Sequence, residues 1–339
     1  MIDNTTQFFQ DTLEKILKDK VSEATTQEEV EEIIEKFKAI NMQELYSNMH
    51  SQMANDTTKF MRKTMFEEVL RFRADELEFL ARQEQKWCNA FVASESMYIM
   101  TLEAAESYVE QVNHLEQEEL RKKQYTFTAM MHIHGRALQQ FLEIITLMKS
   151  GFADGAYARW RSLYELSIIS SFISEQGETV AKAFVTSHET EDRYEWARSS
   201  NLFNNKKRWI TFSDIEKNCD MNTKAWKGQY ILANRIIHAS SQGTFARLSN
   251  MESGDFIPVG RSDYGFTTPA EHSAISLAQI TTIFFTIHPT GDSLIAVKYI
   301  NNWVDVIREE YFKTHDSVFP DDEKLWNDDM ISFEDELGE

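Results

Sequence analysis

Gly151-Phe152-Ala153-Asp154-Gly155-Ala156-Tyr157-Ala158-Arg159-Trp160-Arg161-Ser162-Leu163-Tyr164-Glu165-Leu166 opens a segment that runs on through Ile168, Ile169, Phe172 and Ile173. Its apolar residues fall on nearly every side of a helix, and a helix apolar all round is a buried one. It nevertheless carries Arg161 and Glu165, four residues apart and therefore on one face. Buried charges need partners, because an unpaired one costs several kcal/mol. The pair is thus either a structural ion pair or the floor of a polar site. The preceding segment, about 123–149, is rich in apolar residues from Phe127 to Leu147, and Gly151 stands where a C-terminal glycine ends a helix. Two buried helices joined by so short a turn should lie antiparallel.

Composition points the same way. Among 339 residues there are only 11 Gly and 4 Pro, which favours long helices over tight turns. The expected fold is all-α: a multi-helix bundle with an N-terminal helical extension and one long glycine-containing loop. The formal net charge of -20 repels bare nucleic acid and gives no reason to expect membrane binding. Cys88 and Cys219 lie far apart, outside any zinc-ligand spacing, and read as free thiols. No metal or cofactor is expected. The first residues carry neither a basic n-region nor an apolar h-region, and the longest apolar stretch, near 275–287, is too short and polar to span a bilayer. A cytoplasmic protein is the expectation.

Three regions are anticipated. Residues 1–120 read as amphipathic helices forming a hairpin or bundle, with a capping box at Thr26/Glu29, a second at Asn41/Glu44, and long helices at about 57–86 and 94–120. Residues 121–313 read as the core bundle. Within it a polar helix is expected at about 178–199 and another at about 222–241. The loop at 243–267 holds four glycines and a possible short hairpin around Phe256-Ile257-Pro258-Val259, and Thr268-Pro269-Ala270-Glu271 begins the next helix. Residues 314–339 form an acidic tail interleaved with apolar residues, suited either to solvent or to docking on a partner.

The phosphate-loop, dinucleotide, nucleophile-elbow and zinc-protease signatures are all missing from the sequence. The strongest candidate constellation is Asn234-Arg235-Ile236-Ile237-His238-Ala239-Ser240-Ser241. Asn234, His238 and Ser241 share a helix face, with Trp226 and Tyr230 among the apolar surroundings. A histidine titrating near neutrality is the natural acid or base, and an arginine stabilises a phosphate. The candidate catalytic set is His238, Arg161, Glu165 and Arg235. Asn234, Ser241 and His188 (at a pocket rim) are candidate binding residues. His132 and His134, two apart on a helix, face different ways and read as packing or surface histidines.

These motifs carry two resemblances. The segment ending Arg161-Ser162-Leu163-Tyr164-Glu165, with Ile237-His238-Ala239-Ser240 some seventy residues later, resembles a bacterial all-helical family of unknown function over about 125–307. The Asn234/His238 helix more distantly resembles the HEPN superfamily of helical bundles. Many of its members are metal-independent ribonucleases of toxin and antiphage systems. Their motif is Arg-Asn-x-x-x-His, and they dimerise to complete the active site. Here Ala233 stands where that arginine belongs, and Arg235 follows the Asn. The resemblance implies a homodimer cleaving RNA, with His238 as acid/base and Arg161 or Arg235 on the phosphate. The contrasting expectation is a non-catalytic scaffold, sensor or regulatory subunit working through protein contacts, the acidic tail among them.

Overall fold

The computed structural model describes residues 4–39, 42–187, 192–203, 208–221, 223–237, 248 and 259–325. The protein is all-α, and no strand occurs among the described residues. Its helices are α1 (Asn4–Glu23), α2 (Gln27–Lys38), α3 (Met42–Asn113), α4 (Gln117–Lys122), α5 (Gln124–Lys149), α6 (Ala153–Gln176), α7 (Glu178–Val185), α8 (Phe212–Glu216), α9 (Thr223–Ile237), α10 (Thr267–Phe285) and α11 (Gly291–Val318). Two short 3₁₀ turns, Glu195–Ser199 and Asn201–Phe203, precede α8.

Two compact units divide the chain, Met1–Glu76 and Leu77–Glu339. In the first, the Thr26/Glu29 capping box forms as expected, with the Thr26 hydroxyl accepting from the Glu29 N–H and the Glu29 carboxylate accepting from the Thr26 N–H. Asn41 lies outside the described residues. None of the described side chains of this unit is buried.

The second unit holds the core. The helices α5, α6, α10 and α11 pack on one another, and the C-terminal part of α3 closes the group. Trp87 of α3 meets the Phe266 ring edge-on at 5.1 Å, Ser94 Oγ donates to Tyr311 Oη at 3.1 Å, and Trp303 Nε1 donates to the Ala93 carbonyl at 2.9 Å. His134 of α5, fully enclosed, bonds Thr281 of α10 at 3.1 Å. It is a packing histidine, as its sequence context suggested.

The turn between α5 and α6 is built as the glycine predicted. Gly151 has φ +80°, its N–H bonds the Met148 carbonyl at 2.9 Å, and the Phe152 N–H bonds the Leu147 carbonyl at 2.9 Å. This paired 5→2 and 6→1 pattern satisfies two of the helix's last carbonyls. The residues before α10 brace it: Ser262 N–H donates to the Gly151 carbonyl at 3.0 Å and the Arg261 guanidinium to the Ser150 carbonyl at 2.7 Å.

Several boundaries differ from expectation. The helices expected at 57–86 and 94–120 are joined in one 72-residue helix, α3, whose sequence has no Gly or Pro to break it; it ends at Asn113, and the last residues of the second fall in the separate α4. The helix expected at 178–199 stops at Val185, and Glu195–Ser199 is a 3₁₀ turn. α10 begins at Thr267, with Phe266 in the cap position and no side-chain cap, so the Thr268/Glu271 box is not made. A box forms instead at Thr290/Ser293, before α11. The carboxylate-rich end starts by docking on the body: the Leu325 N–H donates to Asp316 at 2.9 Å, and Phe319 packs on Tyr264 with centroids 4.8 Å apart. The hairpin expected around 256–258 and the tail from 326 onward lie outside the described residues.

A Cβ at position 151 would stand 2.7 Å from the Phe79 ring, and the backbone there is left-handed. Gly151→Ala is therefore expected to cost about 1–3 kcal/mol, read as a lower urea midpoint. An unchanged midpoint would contradict the close approach.

Burial holds His134 neutral by pushing it down to about 3, and His272 of α10 is pushed down to about 4 by burial and then by Arg308. A depressed histidine stabilises the fold fully above its unfolded value of 6.5, and that stabilisation is lost as the pH falls toward the folded value. Urea midpoints should thus decline below pH 6.5, and His272→Gln should flatten that acid limb.

Candidate functional site

The face of α6 that carries the predicted pair also carries Tyr157, Trp160 and Tyr164. Positions 157, 160, 161, 164 and 165 follow the i, i+3, i+4, i+7, i+8 spacing of one helical stripe. The facing stripe of α9 holds Trp226, Gln229, Tyr230, Ala233 and Asn234, with the same spacing. The two stripes meet through polar tips set in aromatic surroundings. Tyr157 Oη reaches the Gln229 Oε1 at 2.7 Å and its backbone carbonyl at 3.0 Å. Tyr164 Oη donates to Glu216 of α8 at 2.9 Å. Trp160 stacks on Tyr157 at 5.0 Å, lies 5.0 Å from the His272 ring, and donates its Nε1–H to Ser276 at 3.0 Å.

Arg161 and Glu165 do pair, with the guanidinium 2.8 Å from Oε1. Tyr230 completes the cluster. Its hydroxyl donates to the same Glu165 oxygen at 2.9 Å and accepts from Arg161 at 3.3 Å, while the guanidinium lies over the Tyr230 ring, 5.4 Å from its centroid. The other carboxylate oxygen faces Arg193, which is largely exposed, at 3.5 Å. The Glu165 side chain is only 8% exposed and that of Arg161 26%. So a nearly buried carboxylate is answered by two guanidinium groups and a phenol. Burial first, and then the Glu165 charge, push the Tyr230 phenol up to about 12. Burial pushes the Tyr157 and Tyr164 phenols up as well.

Two polar atoms in this region have no hydrogen-bond partner although they are buried: Arg161 Nε and Asn234 Oδ1. One is a donor and the other an acceptor. His272 Nδ1 is a third such atom.

Of the residues singled out in the sequence, Arg161 and Glu165 are brought together. Asn234 lies half-buried one turn beyond Tyr230, and Arg235 is exposed on α9. His238, His188 and Ser241 lie outside the described residues. Sequence reasoning placed Tyr230 among the apolar surroundings, missing its hydroxyl's role, and missed Arg193 and the two α6 tyrosines. The signal for the tyrosines was present, since 157 and 164 are on the Arg161 face. Among the described residues no group of three or more His, Cys, Asp or Glu is placed to hold a metal ion. No helix there is long and apolar enough to cross a membrane.

Residues 127–256 match the model of a family described as a family of unknown function, DUF5677. The matched stretch runs from within α5 past the end of α9, so it contains the whole Arg161–Glu165–Tyr230 cluster and Asn234. It leaves out α1, α2, α3, α4, α10 and α11. No curated protein and no solved structure matches the chain.

Glu165→Ala would leave Arg161 facing a vacated, mostly buried position and should cost about 2–3 kcal/mol. Tyr230→Phe, which removes one bond to the carboxylate, should cost about 1 kcal/mol. The raised phenol pKa favours folding fully below pH 10, and this contribution disappears as the pH rises toward 12. The gap in urea midpoint between Tyr230→Phe and the native chain should therefore narrow over that interval. A constant gap would show that the phenol does not titrate there.

Proposed function

We propose that the chain is a non-catalytic helical scaffold or regulatory subunit, acting through protein contacts, and that Arg161, Glu165 and Tyr230 form the joint that holds α9 on α6. One observation carries this reading. The Arg161 guanidinium is already engaged, 2.8 Å from a carboxylate that is 8% exposed. A phosphate brought to that guanidinium would have to share it with a nearly buried carboxylate, and the two anions would repel each other across it. The net charge of -20 adds a field that opposes any polyanion. On this reading the purified protein, incubated with RNA and a chelator, leaves the RNA intact. Glu165→Ala changes stability and partner retention, and no turnover is affected. Metal-independent cleavage that vanishes in His238→Ala would overturn it.

A second reading is favoured by the unpaired Arg161 Nε and Asn234 Oδ1. A buried donor and a buried acceptor on neighbouring helices suit a polar ligand, since each such atom left open costs stability. Here the chain is a HEPN-like, metal-independent ribonuclease of a bacterial antiphage or toxin-like system. His238 takes the proton of the ribose 2′-hydroxyl as it attacks the phosphorus and gives it to the departing 5′-oxygen as the P–O bond breaks, Arg235 or Arg161 steadies the phosphate, and Asn234 orients the substrate. The same RNA assay decides between the two, with Asn234→Ala as the further variant whose cleavage rate should fall.

A further inference from the structure

We propose that the acidic end of the chain, residues 326–339, docks on a cationic face of its own body, made by the outer side of α9 and the turn that precedes α8. The first observation is how unevenly the charge is spread. The formal net charge is -20, yet residues 193–237 hold nine Lys and Arg against four Asp and Glu. α9 contributes Lys224, Lys227 and Arg235 and has no carboxylate. Its stripe of Trp226, Tyr230 and Asn234 is turned to α6. On another side Lys227, Ile231 and Arg235 recur every four residues, and all three are exposed. Neighbouring cations extend this face. Arg193, with a side chain 70% exposed, reaches Glu165, the carboxylate that Tyr230 also holds. Arg208 is exposed, and its carbonyl accepts from Arg198. The four carboxylates do not cancel this. Glu216 is engaged by Tyr164 and Asp214 by the Thr211 cap, which leaves Glu195 and Asp220 exposed against Arg193, Arg208, Lys217, Lys227 and Arg235. Large apolar side chains stand among these cations, with Trp209 63% exposed and Ile231 41%.

Composition and reach choose the occupant. Residues 326–339 hold six carboxylates and no Lys or Arg, with Trp326, Ile331, Phe333 and Leu337 between them. That mixture is the complement of a face where Trp209 and Ile231 stand among cations. The segment also begins close by. Leu325, the residue before it, is tied to Asp316, and Phe319 packs on Tyr264. Two residues before Tyr264, Ser262 bonds Gly151 at the start of α6. Tyr157, about 9 Å further along that helix, holds Gln229 of α9. Fourteen residues extend to about 45 Å, so the tail reaches α9 with slack. Because it belongs to the same chain, it meets this face at an effective concentration of about millimolar, which an acidic peptide from elsewhere would have to match. The inference holds under either reading of the Arg161 cluster.

Carbodiimide coupling of the full chain, which joins an amine to a carboxylate only where the two touch, tests this. Lys227 should couple to Asp328, Asp329 or one of the acidic residues at 334–336, and the product should vanish in about 0.5 M salt. In an equal mixture of unlabelled and heavy-isotope-labelled chains, each coupled product should be wholly light or wholly heavy. The native chain should also resist a glutamate-specific protease at Glu334 and Glu336. Lys227→Glu with Arg208→Glu should speed that cleavage about fivefold or more, and adding Asp328→Lys with Asp329→Lys should slow it again. Because the first pair alters the folded body, Asp328→Asn with Asp329→Asn provides a second arm that does not, and it should speed cleavage as well. Products of mixed label would assign the face to the tail of a second copy and overturn the proposal. So would the lack of any Lys227 product, or cleavage indifferent to both sets of variants.

Discussion

The arrangement of α6 and α9 depends on the carboxylate of Glu165. It sits on a helix whose other faces are apolar, it is almost out of water, and it must be answered from outside its own helix turn. Arg161 supplies charge from one turn back, and Tyr230 supplies a hydroxyl from α9. Once Tyr230 is fixed, the rest of the α9 stripe follows in register: Gln229 meets Tyr157, and Trp226 stands edge-on to His272 at 5.1 Å. A purely apolar stripe would tolerate sliding by a turn. A phenol with one carboxylate to reach does not.

The two units use apolar residues in opposite ways. In the Leu77–Glu339 unit, Trp87, Phe91, Phe141, Trp160, Phe172 and Phe285 are enclosed, and the Trp160 Nε1–H finds Ser276 among them. In the Met1–Glu76 unit, aromatic and methionine side chains of α3 are left outside. The second unit is stabilised by its own packing, and the described side chains of the first form no core of their own.

Much of the fold was legible because it rests on local rules. The glycine at 151 announced the left-handed turn, Thr26 with Glu29 announced a helix start, and the four-residue spacing of Arg161 and Glu165 put both charges on one face, as an ion pair or the floor of a polar site. The continuity of α3 was not legible. The sequence alone suggests a helix start at about Thr57, yet threonines are also tolerated inside a long helix, where Thr58 bonds back to the Ala54 carbonyl. Thr268-Pro269 misled for a similar reason, since the chain entered its helix two residues earlier, with Phe266 in the cap position, and left the threonine inside. The cluster's third member was hidden because Tyr230 lies 65 residues from Glu165, and nothing local says that its hydroxyl will point at a carboxylate. The family match over 127–256 extends this cluster's neighbourhood to other sequences without attaching a role to it.

The brace on the α5–α6 turn has a consequence for how the chain is made. The carbonyls of Ser150 and Gly151 wait for Arg261 and Ser262, with 111 residues separating Ser150 from its arginine. On a ribosome the two helices emerge and meet long before that segment leaves the exit tunnel. During that time the corner has its glycine geometry but not its strap, and the buried face of α6 has neither α9 nor α10 to cover it. The nascent protein therefore shows the buried face of α6 to the surrounding cell for the length of time it takes to translate the intervening third of the sequence.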